Sequence, residues 1–75
     1  MSKYRDGAAV RRERIMRILA YIKSNPGVLV NDVQLHMSFR TGLSPGTTSK
    51  YIQELVEYGL VAVDGQGFRA TGKKI

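Results

Sequence analysis

Apolar residues recur with helical spacing through the first third of the chain. Ile15, Ile18, Leu19 and Ile22 stand at i, i+3, i+4 and i+7, which makes one stripe on a helix running from about Ala9 to Ser24. Arg14, Arg17 and Tyr21 fall together on another face. Asn25-Pro26-Gly27 ends the helix, because proline disfavours helical geometry in the residue before it and glycine turns the chain readily. Val28-Leu29-Val30 reads as a short strand at the edge of a small sheet. Asn31 then stands where it can cap a second helix over about 31–41, with Gln34 completing a capping box. Val33 and Met37 share one face of that helix, while Leu35 and Phe39 share nearly the opposite one. Both pairs cannot enter one small core unless the helix is sandwiched. Leu35 and Phe39 are the pair expected outside it, more in keeping with cover by a terminal arm than with an exposed patch for a partner.

Thr41-Gly42 closes the second helix, and Ser44-Pro45 opens a third with a hydroxyl cap followed by proline at the first helical position. Thr48, Ile52 and Leu55 line its inner face, flanked by Tyr51 and Val56; Gly46, Ser49, Lys50 and Gln53 line the outer one. Gly59 sits where a left-handed C-terminal cap belongs. Beyond it the period changes to two. Leu60-Val61-Ala62-Val63 and Phe68-Arg69-Ala70-Thr71 are expected to form a hairpin around Asp64-Gly65-Gln66-Gly67. The predicted fold class is α+β, three helices with a small antiparallel sheet. Residues 9–75 form the domain and residues 1–8 a flexible basic arm.

Charge adds the first functional clue. The 75-residue chain carries a net charge of +6, which on so small a body attracts polyanions such as DNA, RNA or an anionic membrane. Residues 1–17 hold six basic residues (Lys3, Arg5, Arg11, Arg12, Arg14, Arg17) against Asp6 and Glu13, and the last seven add Arg69, Lys73 and Lys74 without an acid. The stretch between is nearly neutral. With no cysteine and one histidine, His36, the chain lacks a disulfide framework and the ligands of a common zinc finger. No apolar run approaches the ~20 residues of a membrane span, and the first residues lack the apolar middle of a secretory signal. A cytoplasmic, nucleoid-associated protein is the expectation.

The segment from Thr41 to Val61, Thr-Gly-Leu-Ser-Pro-Gly-Thr-Thr-Ser-Lys-Tyr-Ile-Gln-Glu-Leu-Val-Glu-Tyr-Gly-Leu-Val, resembles the recognition segment of winged helix-turn-helix transcriptional regulators. A Gly-Leu-Ser turn, a Thr-rich helix start, a Leu about seven residues later and a Gly-Leu-Val lead into the wing are features of that family. Phe68-Arg69-Ala70-Thr71-Gly72 is similar to the end of such a wing, and the resemblance covers roughly residues 10–72. The stand-alone size is similar to that of regulators carried by archaeal viruses and plasmids. Three departures stand out. The second helix lacks the usual pair of small packing residues, Thr48 stands where a buried hydrophobe is usual, and the dimerising helix that follows the wing in many relatives is missing.

The resemblance implies duplex-DNA binding, with the third helix (about 44–58) in the major groove and the wing (about 60–71) on the backbone or minor groove. The residue chemistry agrees independently. Small polar side chains at a helix start allow close approach to base edges. Gln53 suits adenine, Lys50 guanine or phosphate, and Ser49 either, with Gly46 giving clearance. The opening amides, with Ser44 and Thr47, suit a phosphate oxygen. Gln66 and Arg69 are the wing candidates, and Arg11, Arg12, Arg14, Lys73 and Lys74 the backbone candidates. Glu54 and Glu57 would repel DNA. No glycine-rich phosphate loop, nucleophile arrangement or carboxylate cluster supports an enzyme, a cofactor or a metal, and no small-molecule pocket is evident. The expected partner is double-stranded DNA, bound by a homodimer. The alternatives are a sequence-neutral chromatin or replication accessory binder, and a winged helix used for protein contact.

Overall fold

The computed structural model describes residues 7–73. The chain runs α1 (Gly7–Ser24), β1 (Val28–Leu29), α2 (Val30–Thr41), α3 (Pro45–Glu57), β2 (Val61–Asp64) and β3 (Gly67–Ala70). This is the expected α+β arrangement of three helices and a small antiparallel sheet. Helix α1 opens at Gly7, two residues before the predicted start. The basic arm expected over 1–8 therefore falls partly within α1, and residues 1–6 lie outside the described residues.

The apolar stripe of α1 does what its spacing predicts. Ile15, Ile18 and Ile22 are buried, and they pack with Val33 and Met37 of α2, Ile52 and Leu55 of α3, and Leu43, Leu60 and Val61 from the connections and sheet. Leu19 is partly buried beside this cluster. The ambiguity of α2 resolves in one direction. Val33 and Met37 are fully buried, whereas Leu35 is 62% and Phe39 88% exposed.

The start of α2 corrects the sequence reading. Val30 is helical rather than extended, and the N-cap is Leu29, which makes no side-chain cap bond. Asn31 is already inside the helix and Gln34 is not part of a capping box. The chain passes from β1 into α2 without an intervening polar residue, and the Gln34 amide instead donates to the Pro45 carbonyl (3.3 Å) and the Ser49 hydroxyl (2.7 Å). A tertiary contact thus takes the side chain that a local motif was expected to use.

The termini of α3 follow the local rules. The Ser44 hydroxyl accepts from the Thr47 amide at 3.2 Å, and Pro45 fills the first turn. At the other end Gly59, with φ 80°, permits the paired bonds from the Gly59 amide to the Val56 carbonyl (3.0 Å) and from Leu60 to Leu55 (2.9 Å). That pair is a Schellman cap, with Leu55 and Leu60 both in the core beside it. Thr48, the polar residue in a hydrophobe's place, is fully buried but donates its hydroxyl to the Ser44 carbonyl at 3.0 Å. Its burial therefore leaves no unmet hydrogen bond.

The sheet order is β1-β3-β2, so β3 is central and pairs antiparallel with both neighbours. The β2–β3 hairpin is tighter than predicted. Asp64 pairs with Gly67, leaving Gly65 and Gln66 as a two-residue loop. Gly65 has φ 65° and, among the described residues, only glycines have a positive φ, the pattern of a II′ turn. Leu60 and Thr71 lie just outside the strands and join them: the Thr71 amide donates to the Leu60 carbonyl at 3.0 Å.

Candidate nucleic-acid interface

Helices α2 and α3 are joined by Gly42-Leu43-Ser44. Gly42, in the left-handed conformation, closes α2, and buried Leu43 anchors the turn in the core. The Gln34 bonds to Pro45 and Ser49 then hold the first turn of α3 against α2. The start of α3 is fixed by this turn as well as by its own cap.

From that start, residues 46, 49, 50 and 53 form one stripe, about two turns long, opposite the buried Thr48-Ile52-Leu55 stripe. Gly46, Lys50 and Gln53 are exposed, and neither Lys50 nor Gln53 has a side-chain hydrogen bond or ion pair among the described residues. Ser49 differs: it is half-buried, and its hydroxyl already accepts the Gln34 bond. The Ser44 hydroxyl is likewise committed, since it donates to Thr47 Oγ1 at 2.9 Å while accepting the Thr47 amide. Ser44, Thr47 and Ser49 thus build the helix start, and the outward chemistry of this face is Gly46, Lys50 and Gln53. The first amides of a helix lack intrahelical partners and carry the positive end of its dipole. Pro45 has no amide hydrogen and the Ser44 side chain takes that of Thr47, which leaves the Gly46 amide to meet water or an incoming anion.

The hairpin presents Gln66 in its loop and Arg69 on β3, both exposed. Arg69 lies 3.9 Å from Asp64, a loose exposed pair that constrains it little. Arg12 is exposed and Arg14 half-buried on α1. Two other expected backbone contacts have partners inside the molecule. The Lys73 ammonium donates to the Tyr58 carbonyl at 2.9 Å, placing its charge at the C-terminal end of α3, where the helix dipole favours a cation. Arg11 pairs through Nη2 with the Glu54 carboxylate and stands 5.4 Å from the Tyr51 ring centre. Hydrogen bonding to Glu54 raises the Arg11 pKa beyond its ordinary value. Lys74 lies outside the described residues.

Sequence spacing did not reveal these contacts, because Arg11 and Glu54 are 43 positions apart and no local pattern links them. His36 stacks on Tyr21 with ring centres 3.9 Å apart. Among the described residues no group of three or more His, Asp or Glu is placed to hold a metal ion, and no helix is long and apolar enough to cross a membrane. An open hollow of about 320 Å³ is lined by Met16, Leu19, Leu60 and Ala70 with Lys23, Gly72 and Lys73. Both lysines are exposed, so the hollow has apolar walls without a buried group to orient a ligand. Comparison with protein-family models, with curated proteins and with solved structures finds no match in any of the three.

Proposed function

We propose that this chain is a winged helix-turn-helix DNA-binding protein that regulates transcription by occupying a specific duplex site. In this reading α3 enters the major groove with Gly46, Lys50 and Gln53 foremost, and the β2–β3 hairpin lies against the backbone or minor groove through Gln66 and Arg69. The observation that carries the proposal is the outer stripe of α3. Its start is capped, clamped to α2 by Gln34, and offers one glycine, one cation and one amide to the outside. Major-groove readers use that kind of surface, since a small first turn admits the helix and Lys or Gln pairs with base edges. The hairpin following α3, and the net charge of +6, support the same assignment.

Homodimer formation on two half-sites belongs to the proposal. Leu35 and Phe39, which share one face of α2 and are exposed, offer an apolar surface to a second copy. Two side chains supply far less than the ~800 Å² per partner of a standard interface, so the dimer is expected to form on DNA rather than ahead of it.

The test is selection from a random duplex pool over a salt series, with sequencing of what is retained. A motif with two related half-sites supports the regulator. Retention without a motif, lost steeply with salt, favours the sequence-neutral accessory binder instead. No retention at low salt contradicts DNA binding and turns attention to a protein partner.

A further inference from the structure

Glu54 stands on α3 one residue after Gln53 and one turn beyond Lys50, the two side chains offered to DNA in the proposed reading. A carboxylate there opposes phosphate binding. The repulsion acts over the ~8–10 Å Debye length of ordinary salt, well beyond one helical turn. Glu54 is also free in principle to pair with Lys50, since residues four apart on a helix are neighbours. Among the described residues the pairing with Lys50 is not made. The Glu54 side chain is only 17% exposed and its carboxylate is hydrogen-bonded to Arg11 of α1, whose guanidinium stands 5.4 Å from the Tyr51 ring centre. Tyr51 and Glu54 lie three apart on α3, so the one guanidinium touches two successive turns of that helix.

We infer that Arg11 is a positioning residue for DNA binding: it neutralises Glu54 and keeps it from Lys50, instead of contacting the phosphate backbone itself. The inference rests on the DNA-binding reading and deepens it. It departs from the expectation that Arg11 joins Arg12 and Arg14 as a backbone contact. Arg12, which is exposed and makes no such pair among the described residues, keeps that role.

Binding of a fluorescein-labelled random-sequence duplex tests it, with the unaltered protein, Arg11→Gln, Glu54→Gln, the double variant and Arg11→Lys compared by anisotropy over a salt series. Thermal unfolding of each shows that it is folded. Arg11→Gln is expected to weaken binding by about tenfold, the scale of a local field effect. Glu54→Gln binds at least as tightly as the unaltered protein. The double variant matches Glu54→Gln, because Arg11 has nothing left to neutralise, and Arg11→Lys, which retains the charge, restores most of the affinity. In the Glu54→Gln background, loss of Arg11 leaves the salt slope unchanged, whereas loss of a phosphate contact lowers it by about 0.9. An equal loss from Arg11→Gln in both backgrounds, or no loss in either, overturns the inference while leaving DNA binding intact. Failure of the unaltered protein to bind overturns both. Should Arg11→Gln unfold the domain, the affinity and salt slope of the double variant against those of Glu54→Gln still decide the matter.

Discussion

His36 illustrates how a single side chain can tie stability to pH. It lies nearly parallel to Tyr21, 15° between ring planes, with Arg17 on α1 and Arg40 on α2 as the charged groups acting on it. Burial is the main cause that holds its pKa below the ordinary histidine value, and the two arginines add to it. The unfolded chain therefore takes up this proton at a higher pH than the folded one. Stability from this site is complete above pH ~6.5 and is lost as the pH falls through the folded pKa. His36→Phe, which preserves stacking and removes the titration, is expected to show a flatter loss of melting temperature between about pH 7 and 5. Parallel losses in the two proteins would contradict the assignment. On the proposed DNA face, Gln53→Ala should relax base preference at one position by about 1–3 kcal/mol, whereas Arg69→Ala should weaken all sequences alike. Selection profiles of the two variants distinguish these effects.

The elements whose ends were legible are those with a local cause. Ser44-Pro45 and Gly59 each act through the backbone of their own helix, so α3 could be bounded from residues within a few positions of its ends. The start of α2 was not legible. Asn31 and Gln34 fit a capping box, but Gln34 bonds across to α3 and the cap position belongs to Leu29. The strands were found, though the closeness of β1 to β3 was not. Gly67 is buried on the central strand, and a Cβ there would overlap the carbonyl of Gly27, whose amide donates to Phe68 at 2.7 Å. Gly67→Ala should therefore cost about 1–3 kcal/mol, because the obstructing atoms are backbone and cannot swing aside. Gly46→Ala meets nothing within 4 Å and has no positive φ, so it should stabilise by about 0.4–1 kcal/mol. Chemical denaturation measures both. A Gly67→Ala protein as stable as its parent would show that β1 is not held this closely.

For the molecule as a whole, charge was readable as a total but not as a distribution of roles. The sequence places basic residues at both ends of the chain. Folding then spends some of them internally, Arg11 on Glu54 and Lys73 on the end of α3, while Arg12, Lys50 and Arg69 stay exposed. Long-range pairings of this kind depend on how α1 crosses α3, which no periodicity encodes. Leu35 and Phe39 were readable as lying apart from the core, and they are exposed; the terminal arm expected to cover them lies largely outside the described residues. In the proposed reading the outer face of α3 and the hairpin meet duplex DNA, a contact that backbone amide NMR reads residue by residue. On titration with a duplex carrying the selected site, the amides of Gly46, Thr47, Lys50, Gln53, Gln66 and Arg69 should shift together, while those in the second half of α1 stay near their free positions. Shifts confined to the surroundings of Leu35 and Phe39, or no shifts at all, would contradict it.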